Sequence, residues 1–232
     1  MQREIVLDTE TTGMDPADGH RIIEIGCVEL VNHLPSGVTW HEYINPEREV
    51  DAGAVAVHGI KTEFLQDKPL FAELAGSFLD FIEGAHLVIH NAEFDVKFLN
   101  AELVKLGFAP LKVADVTDTL LMARKKFPGQ PANLDALCRR FGIDLSSRDY
   151  HGALLDSQLL AEVYLELLGG RQHGLGLDPR QTAQNRNNGH VEMATKERIS
   201  RPARSFSLSP EDESAHEAML AKIKEPLWKK TQ

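Results

Sequence analysis

The sequence has little cysteine, no long apolar run and a shortage of positive charge in its first part. Only two of its 232 residues are cysteines, Cys27 and Cys138, which excludes a disulfide framework and favours a reducing compartment. No apolar run approaches the roughly 20 residues of a membrane-spanning helix. The first strand pattern begins within five residues of Met1, so we expect no signal peptide. These absences predict a cytoplasmic protein without a membrane partner.

The scarcity of positive charge is confined to the first part of the chain. Residues 1–170 contain 14 Lys and Arg against 27 Asp and Glu, a net charge of −13, whereas residues 171–232 contain 11 against 8, a net charge of +3. An acidic first part argues against sequence-independent adhesion to nucleic acid. It leaves open a nucleic-acid enzyme whose bound cations supply positive charge at one site.

Strand and helix patterns alternate along residues 1–170. Strands are predicted at 5–7, 21–30, 38–44 and 86–91, helices at 70–84, 92–107, 132–142 and 151–170, and a strand that continues into a helix at 113–127. Three strands in succession followed by strand–helix units indicate an α/β domain with a mixed sheet flanked by helices. We therefore predict one domain over residues 1–170.

The composition changes after Gly169. Residues 171–204 are rich in Gly, Gln, Asn and Arg and have no apolar period, which predicts a flexible linker. Order is expected again in a tail, residues 205–232, where Ser209 is a candidate N-cap, Pro210 takes the first helical position and acids fill the first turn.

Carboxylates occupy positions where apolar residues are expected. Asp8 and Glu10 directly follow the apolar strand Ile5–Leu7 and, being two apart, point to the same face of it. Asp95 and Asp156 each lie on the apolar stripe of a predicted helix. Burying an unpaired charge costs several kcal/mol, so each acid needs a cation or a partner.

Each acid taken alone also has a simpler explanation. The pair Asp8 and Glu10 could cap the following turn, Asp95 could complement a helix dipole, and Asp156 could pair with an arginine. Together, four core-facing acids favour two shared divalent cations. Mg²⁺ binds few carboxylates and completes its shell with phosphate oxygens, and two such ions stabilise both oxygens of an in-line displacement. His151, five residues before Asp156, is expected in the preceding loop as a general base.

Three segments resemble the motifs of the DEDDh 3′–5′ exonucleases. They are DTETTG at 8–13, HNAEFDVKFL at 90–99 and YHGALLDSQLLAEVYLEL at 150–167, in the order found in that family. The resemblance implies a ribonuclease-H-like fold with a five-stranded mixed sheet and hydrolysis with two Mg²⁺ or Mn²⁺ ions.

The resemblance also implies roles for individual residues. Asp8, Glu10, Asp95 and Asp156 would bind the two metal ions, and His151 would be the general base. Contacts with the terminal nucleotide of the substrate are implied for Asp8, Glu10, Thr11, Val57, His58, Phe94 and Asp156. Some relatives carry an acid where this chain has Gly53, so a sugar contact is not implied there. Asp118 is also typical of the family and is read as structural support.

The tail and linker carry weaker resemblances. SLSPEDESAHEAMLAKIKEPLW at 207–228 resembles the segment with which proofreading members of the family bind the catalytic subunit of a replicative polymerase, and it is otherwise a generic amphipathic helix. The contacts implied there are Phe206, Met219 and Trp228. Gln172, Leu175 and Leu177 have the spacing of sliding-clamp-binding peptides, a match that chance also explains.

The resemblance therefore implies a proofreading exonuclease that acts on single-stranded or frayed 3′ ends of DNA. One alternative is a stand-alone 3′–5′ exonuclease acting on RNA or single strands. Another is a non-catalytic subunit that stabilises the polymerase, which five intact catalytic positions argue against. An aspartyl-phosphatase would need a second Asp where Glu10 stands and has no use for His151.

Overall fold

The structure is a computed structural model that describes residues 2–146, 150–170 and 209–223. The chain divides into two compact units, Met1–Leu177 and Asp178–Gln232. The first contains the sheet and all but one of the described helices. Within the described ranges, no helix is long and apolar enough to cross a bilayer.

The first unit is built on a five-stranded mixed sheet, which confirms the predicted fold class. Its strands are β1 (Arg3–Thr11), β2 (Ile22–Val31), β3 (Leu34–Tyr43), β4 (His86–Ile89) and β5 (Val116–Asp118), and their spatial order is β3-β2-β1-β4-β5. β1, β2 and β3 pair antiparallel, whereas β4 pairs parallel with β1 and with β5. The central strand β1 therefore pairs with β2 along its whole length but with β4 only as far as Leu7, so its carboxyl end extends past β4.

Helices and two short 3₁₀ turns connect and cover the strands. The 3₁₀ turns are Pro16–Asp18 and Val113–Asp115, and the helices are α1 (Ala52–His58), α2 (Thr62–Leu65), α3 (Phe71–Ile82), α4 (Ala92–Lys105), α5 (Thr119–Lys126), α6 (Leu134–Phe141) and α7 (Ala153–Leu168). The predicted helices are all present. The sequence patterns missed α1 and α2, which lie between β3 and α3.

The period of two along β1 divides the core between the two faces of the sheet. Ile5 and Leu7 pack with α3 and α4 on one face, while Val6 packs with α5, α6 and α7 on the other. Asp8 and Glu10 continue the series of Val6, so they point to the face that α7 covers. The strand pattern thus fixes which helix can reach these acids.

The second unit contributes one described helix, α8 (Pro210–Leu220). Ser209 is its N-cap and accepts a hydrogen bond from the backbone N–H of Asp212 (3.1 Å), Pro210 is its first residue, and three acids lie in the first turn. These are the start signals predicted from the sequence. Met219 is 51% exposed.

Candidate active site

The site begins at the carboxyl end of β1, where two acids face the same side of the sheet. In the ladder with β2, Asp8 pairs with Gly26 and Glu10 pairs with Glu24. Glu10 is buried and Asp8 is partly buried. A row of three carboxylates therefore lies at this end of the sheet, on the face that α7 covers.

Gly26 allows α7 to approach the sheet closely enough to bring a further acid to this row. A Cβ at Gly26 would lie 2.3 Å from the backbone of Ala153 and Leu154, and the Ser157 hydroxyl donates a hydrogen bond to the Gly26 carbonyl at 2.9 Å. A side chain at this position would push the start of α7 away. The glycine thus sets the position of Asp156, which is 3% exposed.

His151 lies in the loop before α7, as the sequence predicts, and its ring reaches Asp156. The distance from its Nδ1 to the Oδ2 of Asp156 is 3.3 Å, and its side chain is 46% exposed. One ligand atom each from Glu10, His151 and Asp156 lies within 4.8 Å of the other two. A partly exposed imidazole held by a buried carboxylate can accept a proton from a water molecule in the site.

Asp95 reaches the site from the opposite face of the sheet. It lies in the first turn of α4, is 3% exposed, and accepts hydrogen bonds at Oδ1 from the backbone N–H (3.1 Å) and hydroxyl (2.7 Å) of Thr9. Thr9 stands between Asp8 and Glu10 in β1. The bonds from Thr9 therefore fix Asp95 beside the pair.

Burial and neighbouring charges raise the affinity of two of the acids, Asp8 and Asp95, for protons. Burial raises the pKa of Asp8 well above its ordinary range, and the charges of Asp95, Glu10, Asp156 and Glu24 raise it further. Burial also raises the pKa of Asp95 to about 7, although the hydrogen bonds from Thr9 favour its charged form. Clustered, buried carboxylates resist ionisation when no cation is present. Their oxygens are the hard ligands that divalent cations prefer, and a bound cation would relieve the repulsion.

Glu24 is a fifth acid that the sequence interpretation missed. It is 2% exposed, its Oε1 is 2.7 Å from Nε2 of His41, and its Oε2 is buried without a hydrogen-bond partner among the described residues. Its charge raises the pKa of Asp8. The alternation in IIEIG could have indicated it, since the side chain of Glu24 faces the same side as Glu10.

A cavity of about 500 Å³ opens beside the acids. Its lining includes all four nucleotide contacts that the resemblance implies outside the acids, namely Thr11, Val57, His58 and Phe94. Gly53 is also part of the wall, together with Met14, His20 and Asp51, which the sequence interpretation did not include. This volume is in the range of small-molecule sites.

His58 presents a polar atom in this region. Its Nδ1 accepts a hydrogen bond from the backbone N–H of Ile60 (3.0 Å), which assigns the proton of a neutral ring to Nε2. That atom is buried and has no hydrogen-bond partner in the part of the chain that the structure describes. Burial lowers the pKa of His58, so the ring is neutral at pH 7 and offers an N–H donor.

Asp118 supports the site without entering the row of acids. Its carboxylate accepts hydrogen bonds from the backbone N–H groups of Leu120 and Leu121 at the start of α5, and of Asn91 and Ala92 at the start of α4, at 2.8 to 3.3 Å. It thereby joins the starts of two helices. This is the structural role expected from the sequence.

The predicted contacts in the linker and tail lie almost entirely outside the described residues. This holds for Gln172, Leu175 and Leu177 and for Phe206 and Trp228. Met219 is described and exposed on α8. Its predicted polymerase contact stays a prediction.

Comparison with known proteins agrees with this geometry. Residues 5–164 match the family model described as Exonuclease (RNase_T). The DNA polymerase III subunit epsilon of Rickettsia felis is 53% identical over 201 residues, which cover 83% of this chain and 88% of the relative. The protein of that name from Escherichia coli (strain K12) is 48% identical over 228 residues, covering 94% and 92%.

Solved structures share the fold at lower identity. The nuclease domain of 3′hExo, a DEDDh family member, bound to rAMP, has a TM-score of 0.61 at 22% identity, covering 72% of this chain and 92% of that one. Exonuclease X in complex with 5′ overhanging duplex DNA has a TM-score of 0.55 at 22% identity, covering 71% and 90%. The acids at the end of β1, the family model and the relatives agree, and the chain belongs to the exonuclease family and, within it, to the DNA polymerase III epsilon subunits.

Proposed function

We propose that the chain is the proofreading 3′–5′ exonuclease of a replicative DNA polymerase and removes mispaired 3′-terminal nucleotides from single-stranded or frayed DNA ends. The observation that carries this proposal is the convergence of Asp8, Glu10, Asp95, Asp156 and His151 beside a cavity of about 500 Å³. The names of the relatives supply the link to replication.

Two divalent cations, Mg²⁺ or Mn²⁺, would be held by Asp8, Glu10, Asp95 and Asp156. When bound, such ions activate water and stabilise the charge that develops on the attacking and leaving oxygens. Three of these acids are buried and the fourth is partly buried, so their positions are fixed by the fold. The hydrogen bonds from Thr9 to Asp95 hold the acid that comes from the other face of the sheet.

His151 acts as the general base in this proposal. Its exposed ring can take a proton from the attacking water, and Asp156, 3.3 Å away, orients the ring and stabilises its protonated form. The cavity holds the terminal nucleotide. Phe94 and Val57 offer apolar surface to the base, while Thr11 and the Nε2–H of His58 offer polar groups.

The remainder of the chain connects this domain to its partners. The tail, residues 205–232, binds the catalytic subunit of the polymerase with Phe206, Met219 and Trp228, and residues 171–204 act as a flexible linker. Exposed apolar side chains in the second unit, Met219 on α8 at 51% and Ile223 just after the helix at 41%, support a docking role. Gln172, Leu175 and Leu177 add a weak contact with the sliding clamp, which linkage to the polymerase strengthens through an effective concentration of roughly millimolar.

The decisive experiment follows hydrolysis of oligonucleotides labelled at the 5′ end, with matched or mismatched 3′ termini, in DNA and in RNA. Wild-type protein should shorten DNA from the 3′ end in Mg²⁺ or Mn²⁺ and stop in EDTA. Asp8→Ala should abolish activity in a folded protein, whereas Asp80→Asn, at an exposed acid of α3, should not. Full activity of Asp8→Ala would refute the metal site, and activity on RNA alone would favour the stand-alone nuclease.

A second experiment tests the tail. Deletion of residues 205–232 should abolish co-elution with the polymerase subunit and leave hydrolysis of free oligonucleotides unchanged, because the acids and the cavity belong to the other unit. Retained co-elution would show that the tail is not the tether. Changing Gln172, Leu175 and Leu177 together to Ala should lower the salt tolerance of the assembly with the clamp, and an unchanged tolerance would reduce this stretch to a spacer.

A further inference from the structure

The wall of the cavity and the loop that carries His151 share a backbone hydrogen bond. Helix α1 ends at His58, and the N–H of Gly59, at φ +72°, satisfies the carbonyl of Val55. The carbonyls of the last turn of a helix have no partner within it. The carbonyl of Val57 accepts a hydrogen bond from the backbone N–H of His151 at 3.2 Å. The same residue thus lines the cavity and holds the loop.

A second contact lies beside this bond. Tyr150 places its ring on Gly59, and a Cβ built there would lie 3.2 Å from Cγ and Cδ1 of that ring. Both the positive φ and this close approach favour glycine. Tyr150 is 60% exposed, so its packing on Gly59 adds little to the core. The contact instead fixes the residue directly before His151.

We propose that Tyr150 is a positioning residue for the general base and ties the position of His151 to the cavity wall at Val57–Gly59. The inference rests on the proposed function. Asp156 contacts Nδ1 of the His151 ring, while the Val57 carbonyl and the Tyr150–Gly59 contact hold its backbone from the side of the cavity. A nucleotide that seats against Val57 and His58 therefore meets the same segment that locates the base.

The test compares Tyr150→Ala and Tyr150→Phe in steady-state hydrolysis of a 5′-labelled DNA oligonucleotide in Mg²⁺. Misplacement of a catalytic group by about 1 Å costs up to roughly 100-fold in rate, so Tyr150→Ala should lower kcat by about 10- to 100-fold with little change in KM. Tyr150→Phe keeps the ring on Gly59 and should retain wild-type kcat. Phe108→Ala is the matched control, an exposed aromatic that follows α4, and should be silent.

A double-mutant cycle with His151→Ala separates positioning from other roles. If Tyr150 acts through His151, adding Tyr150→Ala to His151→Ala should change kcat by less than about twofold, because the group being positioned is gone. A full additional loss in kcat would overturn the inference, and a loss carried by KM would instead make Tyr150 a direct substrate contact. Unchanged kcat in folded Tyr150→Ala would also overturn it. Inactive wild-type protein, by contrast, would refute the proposed function itself.

Discussion

The charge of Asp95 should destabilise the cation-free protein at neutral and alkaline pH. Its pKa is raised from an ordinary 3.8 to about 7, so the folded state binds a proton more tightly than the unfolded state does. Stability then falls as pH rises between these two values. At 1.36 kcal/mol per pH unit the full cost is about 4 kcal/mol above pH 7, of which about 3 kcal/mol develops between pH 5 and pH 8.

Asp95→Asn should remove this cost while keeping the local structure. The amide oxygen can still accept both hydrogen bonds that Thr9 donates to Oδ1, and only the charge is lost. In EDTA, urea unfolding followed by circular dichroism should therefore show a variant that is more stable than wild type at pH 8, with a smaller advantage at pH 5. Saturating Mg²⁺ should stabilise the wild type at pH 8 and the variant less.

The control for this experiment is Asp80→Asn, at an exposed position of α3. It should leave the difference in unfolding free energy between pH 5 and pH 8 as it is in the wild type. If Asp95→Asn also leaves that difference unchanged, buried charge at Asp95 is not its source. The argument that the cost of burying this charge favours cation binding would then fail at this residue.

Three further predictions concern the groups around the acids. Gly26→Ala should lower kcat by roughly 100-fold or more and lower Tm, because its Cβ would meet the backbone of α7 at 2.3 Å. Gly76→Ala, in the interior of α3 with open space around it, should preserve kcat and keep or raise Tm; equal activity of the two variants would contradict the close-approach argument. Asp118→Ala should reduce the free energy of unfolding, measured by urea titration, by about 1–3 kcal/mol, because four backbone N–H groups lose their acceptor. Unchanged stability would contradict the capping role. Glu24→Gln should weaken Mn²⁺ binding, measured by calorimetry, about fivefold, which corresponds to about 1 kcal/mol for the removal of one nearby charge. Unaltered affinity would show that the charge of Glu24 does not contribute to cation binding.

The sequence by itself determined the elements that have a strong local pattern. Alternation along β1, the helical stripe of α4 and the long helix α7 all appear where their periods predict them, because the spacing of apolar residues directly encodes which face is buried. The same logic exposed Asp8, Glu10, Asp95 and Asp156 as acids at core-facing positions. A charged residue at a position where the apolar period predicts burial can be recognised from the sequence alone.

Short helices without strong caps could not be predicted from the spacing of apolar residues. α1 has seven residues and α2 has four, and neither N-cap residue, Asp51 or Lys61, makes a side-chain capping bond. Helices of this length are not stable on their own and form through tertiary packing, here around Ile23, Val50 and Leu65. Their sequence therefore carries little local signal.

Only the tertiary structure decided how the parts of the site meet. Gly26 brings α7 onto β2, Thr9 fixes an acid from the opposite face, and β2 supplies Glu24 across the ladder from Glu10. The bond from His151 to Val57 joins residues 94 positions apart in the chain. Contacts of this kind depend on distances between elements, which no local period contains, whereas the residue types that can bind cations or move a proton are fixed by the sequence alone.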